Sequence, residues 1–353
     1  MKRVKSLIIG YYGSENIGDE MLLKGTIDIL NRVFGNPEIT AITYSVLDTR
    51  ERHQINGISR NKYFEIYKGI KNSDIVVGGG GSMLQNVTSN RSLIYYLTIL
   101  MLARIMGKKV VLLGNGIGPL RGSFFKKITI RVLRGLDGIV LRDEESYNLL
   151  KFHELNNIHL GNDLAFTLDY KLVAPQEKKI VLNLRKWVEN GKFNGAIEDF
   201  VRFLASQGFK VVLLPFQGGN DDIILGEIAE NITNEDVIFS GSLEYESLLH
   251  EISSSEIFIG MRLHGLIFSS MVNTPFIGLC YDPKVRVFSQ KQEQIYIEDL
   301  ENVSSKVLID AFKKLYGELH SYNRKLKINT EGILLLNPVN EKVLKNIMDA
   351  KED

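Results

Sequence analysis

The chain is poor in cysteine and proline: Cys280 is its one cysteine, and only 7 prolines are spread over 353 residues. A lone cysteine excludes an internal disulfide framework and a cysteine-rich zinc site. The default setting that follows is reducing and cytoplasmic. An excess of either charge is also lacking. Lys plus Arg number 43 and Asp plus Glu 42, a formal net of +1. Dedicated nucleic-acid binders usually show a strong basic excess, so no nucleic-acid partner is expected. Long apolar runs are absent too. The first, Leu7 to Ile9, ends at two tyrosines and a glycine with no small-residue cleavage site after it, which reads as a buried strand rather than a signal peptide. The longest, Leu93 to Ala103 (LIYYLTILMLA), is about half of the ~20 residues that a spanning helix needs. It reads as core. A soluble chain without a transmembrane anchor is expected, with peripheral association at the inner face of the cell membrane left open.

What is present is glycine, 31 residues of it, set between strand-length apolar runs and helical periodicity. Strands are expected at 6–12, 39–45, 74–77, 109–113 and 138–141, and helices at 16–34, 93–106, 124–136 and 144–150. In the first helix Leu23, Ile27, Leu30 and Phe34 recur at helical spacing. The pattern restarts with strands at 180–184, 211–214, 237–239, 257–259 and 276–279. Helices are expected at 196–206, 221–231, 243–252, 264–272, 303–324 and 340–350. Repeated strand–helix alternation implies parallel sheets covered by helices on both faces. The fold class is therefore α/β, with two Rossmann-type, doubly wound parallel-sheet domains over residues 1–170 and 171–353, the C-terminal helices packing back against the body. Ligands in such sheets bind beyond the carboxyl ends of the strands, which predicts a cleft between facing domains.

Five motifs fall at such strand ends. GYYGSENIGDE (10–20) leaves a strand and enters a helix; Asn16 is a candidate cap, and Asp19 a candidate sugar ligand or base. It is neither a dinucleotide fingerprint nor a Walker loop. Four glycines at 78–81 follow strand DIVV, where backbone freed of Cβ atoms admits a close ligand. Gly79, Gly80, Gln85 and Arg91 are the substrate-binding candidates there. Arg142, in LRD, can grip a carboxylate or phosphate with two parallel hydrogen bonds, or simply pair with a neighbouring acid. GMRLHG (260–265) supplies Arg262 and, at a helix N-terminus, His264, a candidate acid once an anion is bound. Lys284, in YDPKVR, lies in a first helical turn where the macrodipole disfavours a cation, which suggests an anionic ligand. The six histidines show no metal-ligand spacing, so no metal site is expected.

These stretches (GYYGSENIGDE, VVGGGGSMLQNVTSNRSLIYYL, GNGIGPL, VLRDEES and GMRLHGLIFSSMVNTPFIGLCYDPKV) together resemble the polysaccharide pyruvyl transferase family, CsaB type. The resemblance implies a GT-B-like fold and no cofactor beyond the donor substrate, phosphoenolpyruvate. It implies transfer of pyruvate to a sugar as a cyclic 4,6-ketal with release of phosphate. The implied acceptor is N-acetylmannosamine on a lipid-linked cell-wall polymer precursor. The family's donor-binding Arg, His and Lys fall on Arg142, His264 and Lys284. The chain departs from the family pattern at Asn86, where an Asp is usual, and at Asn115, where a Gln is usual.

Two other readings fit the same strand–helix pattern. One is a glycosyltransferase using a nucleotide sugar, which would need a site for base and ribose. The other is a non-catalytic sugar- or anion-binding module, which would tolerate loss of His264.

Overall fold

A computed structural model describes residues 3–186 and 191–350. The chain divides into two compact units: residues 3–168 together with 333–350, and residues 169–332. The apolar pattern groups 171–353 as one domain. The contacts place 333–350 with the first sheet.

The first unit runs β1 (Lys5–Tyr12), α1 (Ile17–Phe34), β2 (Glu38–Thr43), α2 (Val46–His53), β3 (Asn56–Ser59), α3 (Tyr63–Asn72) and β4 (Ile75–Leu84). It continues with α4 (Asn90–Ile105), β5 (Lys109–Ile117), α5 (Ser123–Arg134), β6 (Gly138–Leu141), α6 (Glu144–Phe152) and β7 (Ile158–Leu160). All seven strands are parallel, in the order β3-β2-β1-β4-β5-β6-β7. The central strands are apolar on both faces because helices cover both faces. Leu7 and Ile9 of β1 face one core, and Ile8 faces the other.

The second unit runs β8 (Lys179–Asn183), α7 (Gly191–Ser206), β9 (Lys210–Leu213), α8 (Asn220–Asn231), β10 (Val237–Phe239), α9 (Tyr245–Ser253) and β11 (Ile257–Gly260). There follow α10 (Leu263–Met271), β12 (Phe276–Leu279), α11 (Pro283–Lys291), β13 (Ile295–Ile297), α12 (Ser305–Gly317) and α13 (Leu319–Leu334). Its six parallel strands are ordered β10-β9-β8-β11-β12-β13. The last helix, α14 (Asn337–Asp349), seats Ile347 and Val343 where a Cβ on Gly138 of β6 would stand. Arg32 of α1 pairs with Glu341 at 2.6 Å.

Two expectations are corrected. The glycine run 78–81 is no turn after a short strand; β4 continues through it to Leu84, paired with β5 at Gly79↔Leu113 and Gly81↔Asn115. Glycine is required there by close approach. A Cβ on Gly79 would lie 2.4 Å from the Thr26 hydroxyl, and Gly80 and Gly81 adopt φ of +74° and +75°. The 303–324 helix is two helices, broken after Gly317, a residue that weakens a helix interior. The segment 46–72, left without elements by the apolar pattern, forms α2, β3 and α3.

Candidate active site

In the first unit the strand-end motifs come together around β1, β4 and β5. Asn16 caps α1, its Oδ1 accepting from Gly18 N at 3.1 Å, and its amide donates to Asp19 Oδ2 at 2.7 Å. The other Asp19 oxygen stands 3.9 Å from the Cβ position of Gly81, so the first motif borders the glycine run. Buried groups hold that arrangement. The Tyr12 hydroxyl donates to Gly79 O at 2.5 Å, and the Tyr96 hydroxyl donates to Gly10 O at 2.8 Å. Burial, first of several causes, pushes both phenols well above the usual tyrosine range, so they stay protonated donors. Glu20 is fully buried, accepting from Gly13 N at 2.7 Å and meeting His53 Nε2 at 2.8 Å.

Arg142 follows β6, as expected, and its side chain is only 8% exposed. It donates to Asp163 at 2.8 Å and to Ser82 Oγ at 2.9 Å, with Asp143 at 3.7 Å. A Cβ on Gly116 would stand 3.0 Å from its Nε, so the end of β5, which runs through GNGI rather than turning after Leu113, borders it as well. Its charge is matched inside the fold by Asp163, a residue the motif search did not single out. Gln85 closes its own turn, accepting from Val87 N at 2.7 Å and donating to Thr88 at 2.7 Å. Arg91 is exposed in the first turn of α4.

The two departures from the family pattern are both buried. Asn86 donates to Arg121 O at 2.9 Å and accepts from Arg121 N at 2.6 Å, stapling the segment after β5. Asn115 donates to Gly78 O at 2.7 Å and to Leu113 O at 2.9 Å, bracing β4 against β5. An amide does this work at no cost in buried charge.

In the second unit, β8, β11 and β12 are neighbours, with Asn183, Gly260 and Gly278 in register. The segments that follow them therefore leave the same edge of the sheet. Asn183 accepts from Arg262 N at 3.2 Å. The Arg262 guanidinium then forks onto buried Asp221, with Nε at 3.1 Å and Nη2 at 2.5 Å, and reaches Gln217 at 2.9 Å. Asp221 also accepts from Phe216 N and Gln217 N. Arg262 thus ties β11 to the start of α8. Its partner Asp221 was missed by motif reasoning, although an acid in the first helical turn after GGN was the available signal.

His264 lies in the first turn of α10, half-buried, its ring stacked on Phe268 at 6.2 Å. Lys284 lies in the first turn of α11, half-buried, its N–H donating to the cap Asp282 at 2.8 Å. Sequence reasoning also missed Arg185, two residues past the end of β8 as Arg262 is two past the end of β11. Its guanidinium lies 4.6 Å from the centroid of the Tyr281 ring, and among the described residues its buried Nε has no hydrogen-bond partner. The edge therefore gathers Arg185, His264 and Lys284 with the starts of two helices, α10 and α11. Helix N-termini and cations together suit an anion. Beside them, burial pushes the Cys280 thiol up to about 12, with Glu298 adding to the rise.

Arg142 belongs to the first unit; His264, Lys284, Arg262 and Arg185 belong to the second. Among the described residues, no three His, Cys, Asp or Glu side chains are placed to hold a metal ion. No described helix is long and apolar enough to cross a membrane.

The profile of the family described as polysaccharide pyruvyl transferase matches residues 16–283, from the Asn16 cap to the residue before Lys284. The chain belongs to the polysaccharide pyruvyl transferase family. Its fold is that of GT-B glycosyltransferases and epimerases. A structure described as a UDP-N-acetylglucosamine 2-epimerase from Listeria monocytogenes is similar with a TM-score of 0.71 at 12% identity, covering 99% of this chain and 98% of that one. The Neisseria meningitidis UDP-GlcNAc 2-epimerase bound to UDP-GlcNAc gives a TM-score of 0.66 at 12% identity, over 98% and 100%. Sucrose-phosphate synthase from Thermosynechococcus elongatus gives 0.59 at 11% identity, over 98% of both chains. At these identities the likeness is one of fold.

Proposed function

We propose that the protein transfers pyruvate from phosphoenolpyruvate to a sugar, forming a 4,6-ketal and releasing phosphate. The acceptor in this reading is N-acetylmannosamine on a lipid-linked cell-wall polymer precursor, as in CsaB-type members. A lipid carrier puts the reaction at the inner face of the cell membrane. The observation that carries the reading is the cationic edge of the second sheet, in a chain of this family. Phosphoenolpyruvate presents a phosphate and a carboxylate on one small alkene. Lys284 neutralises one anionic group, and the N-termini of α10 and α11 receive the other. His264 gives a proton to the methylene carbon, which leaves C2 electrophilic. One sugar hydroxyl attacks C2 and its proton returns to His264; the bond from C2 to the phosphate oxygen breaks with its electron pair leaving on phosphate, and the second hydroxyl closes the ketal as its proton passes to the departing phosphate. Asn16, Asp19 and the Gly79–Gly80 backbone serve the acceptor. Arg142, already matched by Asp163, orders Ser82 and the glycine run for that task.

The test is phosphate release from phosphoenolpyruvate in the presence of an N-acetylmannosamine-terminated acceptor, set against turnover of a UDP-sugar. Acceptor-dependent phosphate release, with the ketal identified by NMR, is the expected result. UDP release from the nucleotide sugar without phosphate release would turn the reading toward glycosyl transfer. Tight anion binding with neither product would leave a binding module.

A further inference from the structure

Residues 60–134 hold thirteen of the chain's 43 Lys and Arg but only two of its 42 acids, Glu65 and Asp74. A chain of net +1 thus concentrates an excess of eleven positive charges in one stretch and balances it elsewhere. Three helices, α3, α4 and α5, fall in that stretch. All three bury their inner sides in one core on one face of the first sheet, through Ile66 and Ile70, Leu93 and Leu100, and Ile130 and Leu133.

Their outer sides also carry apolar side chains, where a surface helix is normally polar. On α4 the exposed residues Ile94, Thr98, Met101 and Ile105 recur at intervals of four, three and four, a single stripe, and Ile105 is 74% exposed. This is the outer side of the apolar run whose inner side forms core. On α3, which buries Ile66 and Ile70, the exposed residues include Tyr63, Phe64, Tyr67, Lys68 and Lys71. Phe64 is 68% exposed, and the Lys68 ammonium lies 4.5 Å from the centroid of its ring. On α5, Phe124 is exposed at the start, and Lys127, Arg131 and Arg134 are exposed along the helix.

We propose that this three-helix face docks on a lipid surface bearing anionic headgroups. Aromatic rings and lysines interleaved on one helix suit the boundary between acyl chains and headgroups, with the ammonium reaching back to phosphate. The charge decides among occupants. A second copy of this chain would bring one basic face onto another, which like-charge repulsion opposes. A nucleic acid would match the charge but leave the Ile94–Met101–Ile105 stripe unburied. An anionic bilayer satisfies both features. The proposal extends the reading of a lipid-linked acceptor, but its test needs no turnover.

The experiment is co-sedimentation of the full chain with vesicles of phosphatidylcholine alone and of phosphatidylcholine mixed with phosphatidylglycerol. Binding only to the mixed vesicles, lost at high salt, is expected. The triple variant Ile94→Ser, Met101→Ser, Ile105→Ser should lose most of that binding. The pair Lys68→Glu, Lys127→Glu should weaken it by roughly tenfold or more. Both variants should keep the parent's circular dichroism and its phosphate release with a soluble, lipid-free acceptor, so that failure here is separable from failure of the catalytic reading. Equal binding to both vesicle types, or variants that bind like the parent, would overturn the proposal. So would a solution dimer that the serine variant converts to monomer. Tighter binding to duplex DNA or RNA than to the mixed vesicles, abolished by the lysine variant and untouched by the serine variant, would assign the face to nucleic acid instead.

Discussion

The two units place different charged groups at their strand ends. In the first, Glu20 is matched within the fold by Gly13 N and His53, and Arg142 by Asp163, while Arg60, the residue after β3, lies over the Tyr44 ring. In the second, Arg262 is locked in this manner by Asp221. Around it stand half-buried His264, Lys284 and Arg185, the last resting on an aromatic ring rather than a carboxylate. The same parallel-sheet plan therefore yields an edge lined largely by backbone and amides in one unit and an edge that gathers several cations in the other. Backbone and amides suit a sugar, and a group of cations suits a small anion.

The largest effect should come from the cationic edge. His264→Ala removes the proposed acid, and turnover should fall by ~10²–10⁴-fold. The ring lies half-buried at a helix start, stacked on Phe268 of its own helix, so the urea midpoint should move far less than turnover. Steady-state phosphate release and urea unfolding check the two parts separately. Turnover equal to the parent's would remove His264 from the chemistry and erase the contrast between the units.

The next test asks whether Arg142 belongs with the frame or with the anion. Arg142→Met leaves Asp163 buried without its cation, which costs about 3–5 kcal/mol when a buried ion pair loses one partner. A large drop in the urea midpoint, partly restored by adding Asp163→Leu, places Arg142 in the frame. An unchanged midpoint with a raised KM for phosphoenolpyruvate would move Arg142 to the donor site and break the comparison at its clearest point.

The parts legible in the sequence are those where one signal dominates. Buried parallel strands show as apolar runs, and 237–239 and 276–279 match β10 and β12 residue for residue. The segment 46–59 was illegible because α2 (VLDTRERH) buries only Thr49 and β3 is four residues long, so neither carries an apolar period. The glycine run was read as a turn because glycine has poor strand propensity; the tertiary contacts of Gly79 with Tyr12 and Thr26 decided otherwise. At the candidate site, residues after strands were found when a motif surrounded them, as with His264. Arg185 and Asp221 were missed because their meaning depends on which strands are neighbours, and strand order is not written in local pattern. The basic face of α3–α5 was hidden by averaging, since a net of +1 says nothing about where charges sit.

A smaller effect tests whether the cationic edge extends to Arg185. If its guanidinium meets the donor, Arg185→Met removes one charge-assisted contact, worth about 1.5–3 kcal/mol. KM for phosphoenolpyruvate should then rise roughly tenfold to a hundredfold, with kcat largely kept, because such a contact binds ground state and transition state alike. Lys284→Met should behave in the same sense. A fall in kcat at unchanged KM would show that Arg185 acts on the reacting centre rather than on binding.

The smallest effect concerns Cys280, which sits on the cationic edge yet should take no part in the chemistry. Burial is the main reason its thiol titrates near 12 rather than at the ordinary 9.0. A folded-state value above the unfolded one means the folded chain keeps a proton that the unfolded chain releases. The stabilisation is then fully present below about pH 9 and is lost as pH rises toward 12. Cys280→Ser should therefore flatten part of the stability loss across that window, while tyrosines common to both proteins, Tyr95 among them at about 12, cancel in the difference. At neutral pH the native thiol should alkylate far more slowly than in urea, and phosphate release should be unchanged by the modification. Rapid alkylation at neutral pH, blocked by phosphoenolpyruvate, would make the thiol a member of the site and the second edge more than a set of cations.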